Sequence, residues 1–240
     1  MRESSRLANA PLVEVVFEIR FPGNFAVYAG LDRFQRALGP EFPSLFVPKA
    51  AAGEPLALKP FQWKSEDGSR SVNVALNVFS YMSRRYGVFE EFKTEFRRLS
   101  SMFFEIHRPD SLTRLGLRYV NIFPAMECTA EALHPWLELG LRLPALGESE
   151  ASEVAAAFLL KRPGGTLRLA FGEAAPSDFT PIGPAGVRLT GFALDFDFFR
   201  VGPAVVGDID PFLDEGHQTI ETLFFSMVKP EALRVMEGKG

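Results

Sequence analysis

The sequence predicts an α+β protein in which a β-α-β-β(-β)-α unit occurs twice and forms a curved antiparallel sheet covered by helices. Three observations predict this fold. Each half of the chain opens with a strand-like alternation of apolar and polar residues, at residues 12–21 and 112–123. Each half closes with a long amphipathic helix, at residues 89–106 and 210–228. The segments between these elements have hairpin patterns with glycine in their turns.

The first half reads as a strand, a short helix, two or three strands and a long helix. In the opening strand Val13, Val15 and Phe17 share one face, whereas Glu14 and Glu18 share the other. The short helix ends at a Gly-Pro pair, and a Glu-Asp-Gly sequence indicates a hairpin turn. The predicted strands cover residues 12–21, 56–63, 71–79 and 81–85, and the predicted helices cover residues 29–38 and 89–106.

The second half repeats this order. Its opening strand ends in Phe-Pro, as the first strand does, and a Pro-Gly-Gly sequence links the two strands of its hairpin. The last long helix has Asp210 as its N-cap and Pro211 at its first position. The predicted strands cover residues 112–123, 153–161, 166–171 and 187–198, and the predicted helices cover residues 129–137, 210–228 and 231–236.

The two repeats are predicted to join into one globular unit. We expect residues 1–110 and 111–240 to be the repeats, because joining their sheets edge to edge would remove two exposed strand edges. The layout is similar in topology to the saddle of TATA-box-binding proteins and, more loosely, to helix-grip folds. This similarity concerns topology alone, and no function follows from it.

Composition narrows the function classes. The net charge of −4 and the pI of about 5.5 argue against a protein that mainly grips nucleic acid. The single cysteine, Cys128, excludes an internal disulfide. The N-terminal residues lack the apolar run of a signal peptide, and no apolar stretch is long enough to span a membrane. We therefore expect a cytoplasmic protein with no membrane association.

The strongest candidate site is a group of polar residues on the two opening strands. Arg114 and Arg118 alternate onto one face of the second strand, with Asn121 further along, while Arg20 and Glu18 belong to the first strand. Arginine forks suit carboxylate or phosphate recognition. Two interpretations stay open: the charges pair with one another where the opening strands meet, or they line a pocket that binds an anionic ligand.

Weaker candidates lie near the end of the chain. Asp195 and Asp197 project from the same face of one strand, which suits either a divalent metal or a solvated outer face. His217 lies on the last long helix, where it is either a ligand or a partly buried histidine with an ordinary partner. None of the three histidines has a metal-ligand neighbour at helical or hairpin spacing, and the sequence has no phosphate-binding glycine loop. We expect no cofactor and no metal.

Four stretches of sequence carry a family resemblance. They begin with Asn-Ala-Pro-Leu-Val-Glu-Val-Val-Phe-Glu-Ile-Arg-Phe at residues 9–21 and Ser-Glu-Asp-Gly-Ser at residues 65–69. Arg-Leu-Gly-Leu-Arg-Tyr-Val-Asn follows at residues 114–121, and Phe-Leu-Asp-Glu-Gly-His-Gln-Thr-Ile at residues 212–220. In this order they resemble a sporadically distributed family of bacterial proteins whose activity is not established. The resemblance implies an accessory protein of a mobile or defence-type gene cluster and supplies no catalytic residues.

These observations favour a non-enzymatic binding or interaction protein, with a protein partner or a small ligand. The alternatives are a metal-dependent hydrolase that uses Asp195 and Asp197, and a protein that binds a small anionic ligand. A nucleic-acid partner is a third hypothesis, which the acidic pI disfavours. A homodimer is also predicted, because Phe224, Phe225 and Met227 surround much of the last long helix with apolar surface.

Overall fold

The computed structural model of the protein describes residues 9–49, 59–124, 155–174 and 191–238, together with residues 7 and 137. The α-helices within this part of the chain are α1 (Ala26–Ala29), α2 (Leu31–Leu38), α3 (Phe89–His107), α4 (Ile209–Met227) and α5 (Pro230–Met236). The strands are β1 (Leu12–Arg20), β2 (Ser44–Phe46), β3 (Phe61–Lys64), β4 (Arg70–Ala75), β5 (Val78–Ser83), β6 (Leu112–Pro124), β7 (Ala156–Arg162), β8 (Gly165–Ala174) and β9 (Gly191–Ala204).

The α+β class and the large antiparallel sheet are confirmed. The nine described strands form one unclosed sheet in the order β2-β3-β4-β5-β1-β6-β9-β8-β7. Strands that are neighbours in the sequence pair as hairpins from β2 to β5 and again at β7 and β8. Strand β1 pairs with β5, and Phe17 lies opposite Tyr81. Within the described residues, no helix combines the length and the apolar character needed to cross a membrane.

The hairpin turn between β3 and β4 is where the sequence places it. Gly68 has a φ of +67°, a left-handed conformation that glycine adopts without the steric cost of a side chain. The Asp67 carboxylate accepts hydrogen bonds from the hydroxyl groups of Ser65 and Ser69 and from the backbone N–H of Ser69. These hydrogen bonds lower the pKa of Asp67 to about 2.

The predicted strand over residues 71–79 is wrong. The chain turns at Leu76 and Asn77, so that Ala75 pairs with Val78 and two strands, β4 and β5, replace one. The apolar alternation continues through this two-residue turn, which is why periodicity alone missed it. The short strand expected after residue 80 is the second half of β5.

The predicted helices at the ends of the two halves agree closely with the observed helices at residues 89–107 and 209–227. The strands agree less well: β3 begins at residue 61, β9 continues six residues beyond the predicted end at residue 198, and β2 was not predicted. The short helix expected over residues 29–38 is two helices, α1 and α2, joined at Gly30. The predicted helix over residues 129–137 and the start of the predicted strand at residue 187 lie outside the described residues, apart from Leu137, which forms an isolated bridge with Val228.

The chain divides into two compact units. The first unit comprises residues 14–118 and 199–216, and the second comprises residues 1–13, 119–198 and 217–240. The boundary cuts through β1, β6, β9 and α4, so each unit takes residues from both halves of the sequence. The division into units is based on compactness alone. The prediction that residues 1–110 and 111–240 are two repeats is a separate question.

An aromatic core fills the first unit on the inner face of its strands, which is the face that packs against α3. The ring of Phe17 on β1 contacts Phe96 of α3 at a centroid distance of 4.5 Å and Phe212 of α4 at 6.1 Å. The sequence contains 24 phenylalanines, and many of those in this unit belong to the core. Fully buried aromatic side chains here are Phe17, Phe21, Phe34, Trp63, Phe79, Tyr81, Phe96, Phe103 and Phe212.

His107 is a titratable group inside this aromatic core. Its ring packs on Phe103 at 4.6 Å and on Phe34 at 5.7 Å, and 5% of the residue is exposed. A Cβ atom at Gly30 would lie 2.6 Å from the imidazole, so glycine at this position makes room for the histidine. Burial lowers the pKa of His107, which favours the neutral ring.

Ion pairs join the helices of the first unit on their solvent side. Lys93 of α3 donates to the carboxylate of Asp214 in α4, and Arg97 donates to Asp210 over 2.8 Å. A charge ring made of two glutamates and two arginines links the 3-10 turn at residues 39–41, β4 and α3. Each arginine contacts both glutamates: Arg70 and Arg98 with Glu41 and Glu95, at 2.6–3.1 Å.

Candidate functional site

The outer face of the sheet in the first unit is the face opposite the aromatic core. Alternation along β1 places Val15, Phe17 and Ile19 on the inner face and Val16 and Glu18 on the outer face. Because directly paired residues of antiparallel strands project to the same side, the register extends this assignment from β1 to β2. The outer face carries Glu18 and Arg20, and Arg114 contacts Glu18.

Glu18 is the centre of the predicted charge cluster. Its Oε1 atom accepts a hydrogen bond from Arg20 Nε at 2.7 Å and another from Arg114 Nη1 at 2.6 Å. About a quarter of the Glu18 side chain and a fifth of the Arg114 side chain are exposed, whereas Arg20 is half exposed. Of the two interpretations left open by the sequence, this contact matches the one in which the opening strands pair their charges.

Arg114 lies flat along its own strand. A Cβ atom at Gly116 would be 2.5 Å from Arg114 Nη1, so the guanidinium occupies the space above this glycine. The same guanidinium lies 5.3 Å from the ring centroid of Phe199, a cation–π distance. Gly116 and Phe199 therefore shape the position from which Arg114 reaches Glu18.

Three other arginines of the first unit also contact carboxylates. Arg84 Nε donates to Glu14 over 3.0 Å on the outer face, where both side chains are largely buried. On α3, Arg97 and Arg98 contact Asp210 and the glutamates of the charge ring. The carboxylates of these pairs offset the positive charge that binding the phosphate backbone of a nucleic acid would require.

A row of polar side chains crosses the outer face from strand to strand. Gln62 on β3 lies opposite Asn73 on β4, which lies opposite Ser80 on β5, which lies opposite Glu18 on β1. We call these four residues the polar row. At its β2 end the row continues to Phe46, which lies opposite Gln62 and is 50% exposed.

Part of the hydrogen-bonding capacity of the polar row is unused. Asn73 Nδ2 donates to Ser80 Oγ over 3.1 Å, but Asn73 Oδ1 is buried and has no hydrogen-bond partner. The side chain of Gln62 makes no hydrogen bond to any other described residue. A buried acceptor without a donor costs on the order of 1–3 kcal/mol, so its presence requires an explanation.

The other two members of the predicted cluster lie on opposite faces of β6. Arg118 has the same strand parity as Arg114 and is exposed. Asn121 has the opposite parity and is 3% exposed in the second unit, where its Nδ2 donates to the backbone oxygen of Leu194 over 3.2 Å. The structure therefore joins Glu18, Arg20 and Arg114 and gives Asn121 a separate, structural hydrogen bond.

The weaker candidates belong to the second unit. Asp195 and Asp197 alternate with buried phenylalanines on β9, and Arg168 of β8 contacts Asp195 over 3.4 Å. His217 Nδ1 lies 2.9 Å from the hydroxyl oxygen of the buried Tyr119. In the part of the chain that the structure describes, no group of three or more His, Cys, Asp or Glu side chains is arranged around a common metal position.

The residues expected at a dimer interface are largely buried. Phe224 and Met227 are 9% and 7% exposed, and the ring of Phe224 contacts Phe196 of β9 within the second unit. Phe225 remains 40% exposed. The apolar surface that suggested a homodimer is therefore mostly used inside the protein, and dimerisation stays a prediction.

Sequence reasoning missed the polar row, although one signal for it was visible. The alternation in residues 70–75 places Asn73 on the face away from the core. Its neighbours could not be identified without the order and register of the strands, because Gln62, Ser80 and Glu18 come from three other strands.

No protein-family model and no curated protein matches the chain, so the family resemblance stays a prediction.

Proposed function

We propose that the protein is a non-catalytic binding protein and that its ligand lies on the outer face of the first unit, over the polar row. The observation that carries this proposal is the row of polar side chains itself, in which Glu18 and Gln62 are partly exposed and Gln62 makes no hydrogen bond to any other described residue. A bound ligand could use the donor and acceptor groups of the Gln62 amide. The half-exposed Phe46 and Arg20 leave both ends of the row within reach of a ligand.

The experiment is a thermal-shift screen of the full chain against small-molecule and peptide libraries. A ligand that binds only the folded protein stabilises it by about 2.7 kcal/mol at one hundred times its Kd, which raises Tm by several degrees. We expect hits to stabilise the unmodified protein and the Gln218→Ala control, which changes an exposed amide on α4. The same hits should lose their effect on Asn73→Leu and on Gln62→Ala. A ligand that stabilises all four proteins equally contradicts the proposed surface.

We also propose that the sheet is a tandem repeat. Counted outward from the β1–β6 junction, the strand order is β1-β5-β4-β3 on one side and β6-β9-β8-β7 on the other, with the short strand β2 as an extra edge on the first side. Apart from β2, the strands appear in the same order in each half of the chain. Within the first unit, Phe96 of α3 and Phe212 of α4 contact the same ring, that of Phe17, which supports two long helices on one face. Superposition of residues 12–107 on residues 112–227 in an experimental structure tests the repeat.

The remaining expectations from the sequence stay proposals. They are the cytoplasmic location, membership of the sporadically distributed bacterial family and an accessory role beside mobile or defence-type genes. The anionic small-ligand alternative keeps some support, because Arg20 and Arg114 already hold one carboxylate oxygen between them. The order of neighbouring genes in the source genome is the direct test of the accessory role.

A further inference from the structure

We propose that two copies of the protein associate through strand β7, which pairs antiparallel with β7 of the second copy at the sheet edge in the second unit. This is a different surface from the outer face of the first unit and from the helix face that suggested a homodimer. The exposure of β7, the lack of protection along its edge and the self-complementary order of its residues each support a second copy as the partner.

Strand β7 exposes apolar side chains on both of its faces. Leu159 is 67% exposed, and Phe158, its neighbour on the opposite face, is 40% exposed. Strand β8, which pairs with β7, instead alternates half-buried and buried residues over residues 166–172. The apolar area of β7 is therefore not covered by its own sheet, as is typical of a surface that contacts another protein.

The backbone of β7 also has a free side within the described residues. Strand β7 is the last strand in the sheet order, and its seven residues pair with β8. The N–H and C=O groups on the other side of such an edge strand are unpaired, and they pair readily with a strand of another chain.

The two edge strands of the sheet differ in how they are protected from such pairing. Strand β2 has three residues and lies in the sequence between Pro43 and Pro48, which cannot donate a backbone hydrogen bond. A short strand and flanking prolines both discourage association at an edge. Strand β7 has seven residues and no proline, and its two charged residues, Lys161 and Arg162, lie together at its end. Strand β7 is therefore the edge that can accept a partner strand.

The residues of β7 are self-complementary about Leu159. In an antiparallel pair centred on this residue, Leu159 lies opposite its own copy on one face, and Phe158 lies opposite Leu160 of the second copy on the other face. Lys161 then lies opposite the small side chain of Ala157. All seven residues are paired in this register. The arrangement has two-fold symmetry, so it closes at two copies.

The charges of β7 favour the same arrangement. The Lys161 residues of the two copies would lie four residues apart along the pair, which is about 14 Å at about 3.4 Å per residue. This distance exceeds the Debye length of about 8 Å at physiological ionic strength, so the repulsion between them is screened. A parallel pair in register would place like charges directly opposite each other, which is destabilising. The charges therefore select the antiparallel pair.

The oligomeric state of the full chain tests the inference. We expect sedimentation velocity to show a monomer–dimer equilibrium between about 1 μM and about 200 μM. Leu159→Lys should weaken dimerisation at least tenfold, because the two new charges would face each other at the two-fold axis. Val201→Lys is the control, since Val201 on β9 is 72% exposed and should leave the dimer unchanged. An unchanged Tm shows that each variant folds.

Cysteine cross-linking tests the register. In a Cys128→Ser background, which removes the one native cysteine, Leu159→Cys should form an intermolecular disulfide under mild oxidation. The two Cα atoms at position 159 would lie about 4.5–5.5 Å apart, within the range that a disulfide spans. Ala157→Cys changes an exposed residue on the same face, but it would lie about 14 Å from its copy and should stay unlinked.

A dimer that persists in Leu159→Lys overturns the inference, as does a disulfide that forms as readily from Ala157→Cys as from Leu159→Cys. A monomer at every concentration also overturns it. Hydrogen exchange of the β7 amides in that monomer would then identify what occupies the edge. Slow exchange would assign the edge to a segment of the same chain, and fast exchange would leave it to a different protein. The proposed function of the outer face stands or falls separately from these results.

Discussion

The two faces of the sheet in the first unit use the same strands for opposite purposes. On β1, Val15 and Phe17 are completely buried against the helices, while Val16 and Glu18, their immediate neighbours, lie half-buried on the other side. The inner face is a continuous cluster of aromatic rings, in which the ring nitrogens of Trp63 and His107 are also buried without a hydrogen-bond partner. The outer face has polar groups, and one of them, Asn73 Oδ1, lacks a partner altogether.

The inner face contributes most to the stability of the first unit, whereas the outer face is the surface proposed for recognition. Burial of an aromatic side chain stabilises the folded state by several kcal/mol, whereas surface ion pairs contribute about 0–1 kcal/mol. The outer face can therefore carry unused hydrogen-bonding groups without endangering the fold. Variants of the two faces should therefore behave differently. A change on the inner face should affect the free energy of unfolding, and a change on the outer face should affect ligand binding.

The largest effect is expected for Phe96→Ala. Phe96 is completely buried and contacts both Phe17 and Phe79, so truncation leaves a cavity in the aromatic cluster. We expect a loss of about 3–5 kcal/mol in the free energy of unfolding, measured by urea denaturation. Phe104→Ala on the same helix is the control, since Phe104 is only half-buried and should cost clearly less. Equal losses would contradict the assignment of α3 to the inner face.

The next largest effect compares two adjacent valines. Val15→Ala removes two buried methyl groups from the inner face and should cost about 2 kcal/mol in the free energy of unfolding. Val16→Ala makes the same chemical change on the outer face, where we expect a loss below about 1 kcal/mol. Chemical denaturation of both variants in one buffer measures the difference directly. A larger loss for Val16 would mean that the register of β1 is wrong.

A smaller effect is expected when the pH is lowered, because the inner face contains the buried histidine His107. Burial holds its pKa below the unfolded value of about 6.5, so the unfolded chain binds a proton first as the pH falls. Stability should therefore be constant above this pH and decrease below it. Denaturation between pH 8 and pH 5.5 stays above the range in which carboxylates titrate. The His107→Gln variant should lose part of this pH dependence, and an unchanged slope would refute the assignment.

The smallest effect on stability is expected for Gly116→Ala on the outer face. The new Cβ atom would displace the Arg114 guanidinium, which is the flexible end of a long side chain, so the backbone need not move. We expect a change within about 0.5 kcal/mol in unfolding free energy. The contact between Arg114 and Glu18 should nevertheless be lost. A double-mutant cycle of Arg114→Gln and Glu18→Gln should show coupling in the unmodified protein and none in the Gly116→Ala background.

Much of this architecture could be predicted from periodicity. The alternation in β1, the stripe of α3 and the Asp-Gly turn each follow from local physical rules, and each is observed. The turn at Leu76 and Asn77 was missed because it preserves the alternation on both sides. The separation of Asn121 from Arg118 could have been seen, since residues three apart on a strand project to opposite faces.

The candidate site was harder to predict than the fold. Charge alternation identified Glu18 and Arg114 as possible partners, and these two residues do form an ion pair. The polar row depends on which strands are neighbours, and the order β3-β4-β5-β1 moves β1 next to a strand about sixty residues later in the sequence. Local sequence has no information about such a pairing, because the sheet order is decided by the packing of the whole unit.

The charge ring of Glu41, Arg70, Glu95 and Arg98 has a consequence for how the sequence can vary. Each member touches two residues of opposite sign, so replacing any one of them leaves the other three connected. Related proteins can therefore replace one member of the charge ring at a time without leaving another member's charge unpaired. In a set of homologous sequences, these four positions should vary one at a time. Simultaneous loss of both glutamates, or of both arginines, should be rare.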